Sequence, residues 1–253
     1  FNIKTTVSEL EFNKLDAEIE ETFTSKQPGF IRRQSGVDEQ GRYVVLVYWK
    51  SLADAEASMN KFMSDESVAN YAGMIDGSTM KMSRFTTTDE LTATNSTFTE
   101  VMTFELKEGT NVEAFNAVND RVGPEFSEKQ IGFLQRITGV NEAGEQVAVA
   151  YWDTKAHSDA VINDFMNAAV AKEFMGMMDQ STIDLIRFQS LSSSHRSSAR
   201  KSVRSRDPIS NCLNNLSYHN HNPVAVHCRQ GGTKHQEEDA YGLTHLQRGY
   251  GQR

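Results

Sequence analysis

The sequence predicts an α+β protein made of two tandem βαββαβ modules, followed by a tail of different character. Three observations carry this expectation: a gapless internal repeat, one element pattern that recurs in each copy, and an abrupt change of composition near residue 190. Residues 28–49 (PGFIRRQSGVDEQGRYVVLVYW) lie over 131–152 (IGFLQRITGVNEAGEQVAVAYW) at a shift of 103. Extended without a gap, 1–88 over 104–191 gives 29 identities in 88 positions, and self-similarity of that length marks a repeated unit. The second copy starts earlier, with strand-like residues 97–103 whose equivalents would precede Phe1, so the first copy is expected to be clipped at its first strand. The expected organisation is a first module over 1–88, a second over 97–190, and a tail over 191–253.

Each copy reads the same way. A strand over 100–106 and a turn at 107–110 lead into a helix over 111–126, where Val112, Phe115, Val118, Val122 and Phe126 fall at helical spacing. Asn111 stands at the N-cap of that helix, and Ser8 takes its place in the first copy, ahead of Phe12, Leu15, Ile19 and Phe23. Two strands, 29–35 and 43–49, joined around 38–41, make a hairpin. A helix over 51–63, a shorter one around 68–75 and a closing strand over 78–86 complete the module. The order is that of a ferredoxin-like unit.

The runs YVVLVYW (43–49) and VAVAYW (147–152) are apolar at nearly every position. A half-solvated antiparallel strand alternates, so an unbroken run needs cover on both faces. Helices cover one face, and the sibling sheet is the natural cover for the other. The two four-stranded sheets then meet face to face or close into a barrel, as one pseudo-dimer, with the polar linker 87–96 letting the copies pair.

Composition divides the chain the same way. All fourteen Phe, both Trp and all ten Met precede Ser190, whereas both Cys and six of the seven His follow Ser194. Up to Ser190 the chain carries 17 Lys and Arg against 30 Asp and Glu, a formal charge of −13. An acidic body repels nucleic acid and anionic membrane surfaces. It contains no cysteine, so disulfides and thiolate metal sites are excluded there. Nothing spans a bilayer, no signal peptide is visible, and a cytoplasmic location is expected. The tail carries 9 basic against 4 acidic residues, and its Ser/Arg/Asn/His/Gln bias leaves too little apolar surface to fold. It reads as a disordered extension or as an artefactual end produced by out-of-frame translation or cloning. The alternatives are a basic arm over 196–206 and a metal site from Cys212, Cys228, His219, His221 and His227, whose spacing fits no standard zinc pattern.

Gly29, Phe30, Gly36, Trp49, Ala53 and Ala57, with Gly132, Phe133, Gly139, Trp152, Ala156 and Ala160, form a pattern that closes with a Phe-rich helix and an Arg-Phe strand. Over 1–189 this resembles the antibiotic biosynthesis monooxygenase-like proteins of the dimeric α/β-barrel superfamily. The resemblance implies oxidation of a small aromatic or quinol-type molecule by O2 without metal or flavin, in an apolar cleft between helices and sheet. It equally implies a second class, a non-catalytic small-molecule-binding or stress-response barrel protein, since one fold serves many functions.

Candidate residues follow from position and from recurrence at +103. Tyr48 and Tyr151, with Trp49 and Trp152, end a strand in each copy. Adjacent strand residues face opposite sides, so one ring of each pair either walls a cleft or packs the core, and a phenol could donate to a substrate oxyanion. Arg84 and Arg187 in the closing strands could stabilise an enolate, as could Arg33 and Arg136. The alternative is ion pairing, for instance with Asp76 and Asp179. Met63 and Met166, beside Asn60 and Asn163, suggest an adaptable apolar surface with a polar contact. His157 matches Asp54 in the other copy, so no histidine recurs. Neither a haem ligand nor a Ser-His or Cys-His nucleophile is available, and no cofactor or metal is expected. The expected partner is a small-molecule ligand. The fused pair is either self-contained or forms a further homodimer.

Overall fold

The computed structural model describes residues 1–87, 89–93 and 95–191. The expectations for the tail therefore lie outside the described residues, Leu191 apart. In chain order the elements are β1 (Asn2–Ile3), α1 (Glu9–Thr22), β2 (Phe30–Asp38), β3 (Tyr43–Trp49), α2 (Leu52–Phe62), α3 (Ala69–Met74), β4 (Ile75–Asp76) and β5 (Thr86–Thr87). These are followed by β6 (Phe98–Phe104), α4 (Val112–Glu125), β7 (Phe133–Val140), β8 (Gln146–Trp152), α5 (Lys155–Asn167), α6 (Ala169–Gly176) and β9 (Asp184–Ser190).

The helices start where short polar side chains can satisfy orphan N–H groups. Ser8 Oγ accepts from Glu11 N at 3.3 Å, and Asn111 Oδ1 accepts from Ala114 N at 2.8 Å. Both hairpins turn on a glycine in the left-handed region, Gly41 (φ 79°) and Gly144 (φ 90°), where a Cβ would be strained.

Seven strands form one curled antiparallel sheet in the order β3-β2-β9-β6-β8-β7-β5, while β1 and β4 pair separately. The halves of the chain join twice within this sheet. Three residues of β2 pair with β9, Gly36 facing Ser190, and two residues of β5 pair with β7, Thr87 facing Gly139. The inner face of the curl is a core drawn from both halves, including Leu46, Tyr48, Phe85, Ile137, Val149, Tyr151 and Phe188. On the outer face α4 and α6 enclose Phe104, Phe115, Val122 and Phe174, and α1 and α3 enclose Phe12, Ile19, Phe23, Tyr43 and Tyr71. Both faces of β3 and β8 are thus covered, which accounts for their unbroken apolar runs.

One expected element is corrected. The closing strand over 78–86 is reduced to Thr86–Thr87, and 80–85 has no regular structure. The reason lies in the neighbouring lane. β9 forms against β6 along six residues, Phe98–Thr103, whereas Phe1 alone among the described residues corresponds to a position of β6; Asn2 and Ile3, which pair with Asp76 and Ile75, correspond to Glu105 and Leu106. With no strand alongside among the described residues, 81–85 has no ladder to join. No helix among the described residues is long and apolar enough to cross a membrane.

Candidate functional site

The two helix-covered faces place equivalent residues in equivalent positions and then differ at four of them. Under α1, the guanidinium of Arg33 in β2 donates to Asp16 Oδ2 (3.1 Å) and Oδ1 (2.5 Å) and to Tyr71 Oη (3.2 Å). Ser35 Oγ donates to the same carboxylate. Arg33 is 6% and Asp16 2% exposed, so this is a closed, buried ion pair. Burial alone raises the Asp16 carboxyl, but the hydrogen bonds and charge of Arg33, with Ser35 and Tyr71, override it and hold the group below the ordinary carboxylate range. Beside the pair, Tyr43 fills the space between helix and sheet. It stacks on Phe1 (centroids 5.9 Å), meets Phe12 edge-on (4.6 Å), and its hydroxyl donates to Asn13 Oδ1 at 3.1 Å.

Under α4 the arginine is kept and its partners are not. Asn119 stands at the position of Asp16, Phe174 at that of Tyr71, Thr138 at that of Ser35, and Gln146 at that of Tyr43. Arg136 Nη2 donates to Asn119 Oδ1 (2.7 Å), Nη1 to the Asn119 carbonyl (3.3 Å), and the guanidinium sits 5.2 Å from the Phe174 ring centroid. Among the described residues it forms no ion pair, because an amide has replaced the carboxylate. Burial pushes the Arg136 guanidinium down to about 10, partly offset by Asp89 and Asp120. Asp89 reaches the site only indirectly, its Oδ2 accepting from Thr138 N at 3.2 Å.

Gln146 does not fill the space that Tyr43 fills. Between α4 and the sheet a solvent-open cleft of about 240 Å³ remains, lined by Phe104, Phe115, Asn116, Asn119, Thr138 and Gln146 among others. Its floor is aromatic, with Phe104 and Phe115 at centroids 6.0 Å apart and nearly perpendicular. Its rim carries amides, hydroxyls and the Asp120 carboxylate, the Thr138 hydroxyl donates to Asp89 Oδ2 at 3.4 Å, and the Arg136 charge lies behind Asn119. Such a site can seat a small ring against the little that Phe104 (1%) and Phe115 (2%) expose, in the combined field of Arg136 and Asp120.

The residues that the sequence nominated are dispersed. Tyr48 and Tyr151 face inward, fully buried, and their phenol oxygens hydrogen-bond to each other at the centre of the curl. Burial raises both hydroxyls above the ordinary tyrosine value, so they are core residues rather than cleft acids. Trp49 and Trp152 face the helices but are buried edge-on against Phe30 and Phe133. Arg187 is tied down by Glu100 (2.7 Å), Asp159 (2.7 Å) and Ser158 (2.6 Å), the ion-pair alternative, although Asp76 and Asp179 instead cap short turns at Ser78 and Ser181. Arg84 is exposed and outside any strand. Asn60 and Asn163 are exposed, as are Met63 (75%) and Met166 (50%); Met63 only borders a shallow groove with Phe62, Asp65 and Val68. Arg33 is sealed by Asp16, and Arg136 meets the cleft only through Asn119. Asn119, Thr138 and Gln146 were not nominated, because recurrence at +103 selects what the halves share and these are what they do not; Phe104 and Phe115 recur as Phe1 and Phe12 and read as core. The available signal was a recurring arginine whose matched carboxylate had become an amide. No group of three or more His, Cys, Asp or Glu that could hold a metal occurs among the described residues.

No protein-family profile matches the chain, and no curated protein does. Solved structures do. A candidate monooxygenase from Fusobacterium nucleatum is 11% identical, with 76% of this chain and 89% of that one superposed at a TM-score of 0.52. An anthrone oxidase-like protein is 14% identical over 75% and 88%, at a TM-score of 0.51. At these identities the likeness is one of fold: the chain shares its curled α+β architecture with those two proteins.

Proposed function

We propose that the chain is a cofactor-independent, monooxygenase-like protein acting with O2 on a small aromatic molecule of the quinol or anthrone type, held in the cleft beneath α4. The observation that carries this reading is the open, aromatic-floored cleft beside an arginine with no carboxylate partner. Its counterpart beneath α1 is closed by Tyr43 and neutralised by Asp16. The architecture shared with a candidate monooxygenase and an anthrone oxidase-like protein supports it. On this reading residues 1–88 and 97–190 are two copies of one ferredoxin-like module that pair as a pseudo-dimer of the dimeric α/β-barrel type, and only the second copy binds substrate.

The chemistry asked of the site is modest. A phenol or an anthrone-type CH2 loses a proton to solvent, and the resulting oxyanion donates electrons to O2; a hydroquinone that loses two electrons and two protons ends as the quinone, with O2 reduced to H2O2. For the CH2 substrate one oxygen atom ends in the new carbonyl and the other in water. Phe104 and Phe115 position the ring, and Asn119 and Thr138 face the oxygen. The Arg136 cation favours the deprotonated form, each unit of acidity gained being worth about 1.4 kcal/mol.

The test is oxygen uptake with a panel of anthrones and hydroquinones. Wild type is expected to exceed buffer autoxidation. Gln146→Tyr, which restores the filling ring of the other half, and Asn119→Asp, which neutralises Arg136, are each expected to reduce uptake at least about tenfold, the effect of roughly 1.4 kcal/mol in the barrier. Uptake equal to autoxidation would end the enzyme reading. A second reading, a non-catalytic small-molecule-binding protein, draws on the finding that Tyr48, Tyr151, Arg84 and Arg187 all lie away from the cleft. It requires binding of the same compounds, abolished by Gln146→Tyr, with no oxygen consumed.

A further inference from the structure

The first half carries a phenol of its own in the place that the second half leaves open. Tyr43 rises from β3 beneath α1, meets Phe12 edge-on (centroids 4.6 Å apart, 66° between the rings), and donates its hydroxyl to Asn13 Oδ1 at 3.1 Å. Phe12 in turn stacks on Tyr71 (5.1 Å, 26°). This is a complete phenol site. The sheet end of the ring is tethered, one side meets an aromatic wall, and the hydroxyl meets an acceptor on the helix.

Beneath α4 the wall and the acceptor recur and the phenol does not. Phe115 and Phe174 stack as Phe12 and Tyr71 do (5.7 Å, 24°). Asn116 stands at the position of Asn13, and Gln146 at that of Tyr43. The exposed Asn116 amide makes no hydrogen bond with another described residue, and the Gln146 amide donates elsewhere, to the Gly144 carbonyl at 2.9 Å. What remains is the cleft of about 240 Å³, and an apolar cavity of about 150 Å³ is enough to hold benzene. Phe115 exposes only 2%, so recognition falls on the polar rim more than on the aromatic floor. Asp120, where the first half has Ala17, adds a second acceptor to that rim, one turn beyond Asn116 on α4.

We propose that the α4 cleft binds a free single-ring phenol with a small para substituent, in the pose that Tyr43 takes beneath α1, and that Asn116 is the residue that selects it. The phenol donates to Asn116 Oδ1, and its para carbon points to the sheet at Gln146, where the first half has the Tyr43 Cβ. An O–H donor is then what the site discriminates, because a site arranged to pair a hydroxyl rejects the isostere that lacks one. On the reading of this cleft as the substrate site, the substrate narrows from the quinol or anthrone type to a single phenolic ring.

The probe is p-cresol, the tyrosine side chain as a free molecule, and its control is 4-methylanisole, which has the ring but no donor. Titration calorimetry on the intact chain is expected to show saturable binding of p-cresol, with 4-methylanisole about tenfold weaker, the scale of one hydrogen bond. Asn116→Ala should weaken p-cresol about tenfold and leave 4-methylanisole unchanged, and because Asn116 is exposed the variant keeps the fold. Gln146→Tyr, which supplies the ring from the chain itself, should abolish p-cresol binding in a protein of unaltered circular dichroism. The absence of saturable binding, equal affinities for the two compounds, an equal loss of both in Asn116→Ala, or p-cresol binding that survives Gln146→Tyr would each overturn the proposal. Oxygen uptake keeps its failure apart from that of the enzyme reading. Anthrone oxidation without p-cresol binding ends the phenol pose alone, and p-cresol binding without oxidation of any compound ends the enzyme reading alone.

Discussion

Asp16→Ala is expected to cost about 3–5 kcal/mol of folding free energy, the range for removing one partner of a buried ion pair. The loss is large because Arg33, only 6% exposed, would keep its charge with no carboxylate to meet it, retaining only the Tyr71 and Ser35 oxygens (3.2 and 3.5 Å) and the Asp16 carbonyl (3.3 Å). Asp16→Asn, which copies the arrangement around Asn119, should cost less, since the amide oxygen still accepts from the guanidinium. The pH dependence follows from the depressed carboxyl. A group more acidic in the folded than in the unfolded chain contributes stability above its ordinary value, about 3.9, and loses it as pH falls through the folded value. Denaturant titrations at pH 7 and at steps below pH 4 should show the gap between wild type and Asp16→Asn closing only on the acid side. A gap that persists unchanged to pH 2 would mean the charge contributes nothing.

Gly36→Ala is expected to destabilise by about 1–3 kcal/mol through overpacking. A Cβ at this position would collide with the Phe188 ring and lie 2.5 Å from the Gln189 carbonyl oxygen. Neither can retreat cheaply, because Phe188 is fully buried in the central core and Gln189 is paired to Val37. Gly139→Ala meets the Thr86 carbonyl at 2.5 Å at the other junction. There the cost should be smaller, because β5 is a two-residue edge strand that can peel away. Chemical denaturation of both variants checks the order. Equal effects, or a Gly36→Ala change under about 0.5 kcal/mol, would mean that the β2–β9 contact is looser than drawn.

How much of this was legible beforehand depends on whether a feature is local. The caps at Ser8 and Asn111, the helical stripes and the hairpins of β2–β3 and β7–β8 are written in short windows, and the structure forms them there. The apolar runs of β3 and β8 also announced cover on both faces. The closing strand of the first half was misread because its sequence, matched to that of β9, is sufficient only when a neighbouring strand exists. Strand formation is a property of pairs. The cleft beneath α4 was not nominated for a related reason. Tyr48, Trp49 and Arg33 recur because they pack or pair in both halves. The cleft exists because Tyr43 and Asp16 have no counterpart of the same chemistry in Gln146 and Asn119. Whether an arginine is sealed or open depends on a residue 17 positions away on a helix, and only the packed structure brings the two together.

The central core bears on how the molecule comes apart. Leu46 and Tyr48 from the first half lie in one apolar cluster with Ile137, Val149, Tyr151 and Phe188 from the second, and neither set has another surface to bury against. Heating should therefore not melt 1–87 while 97–191 survives. A single calorimetric transition is expected, with van't Hoff and calorimetric enthalpies in agreement, and the slowest-exchanging amides of both halves should open with one common free energy. Two resolved transitions would mean that the core each half has beneath its own helices is sufficient to hold it folded, and that the shared cluster adheres to it without governing it.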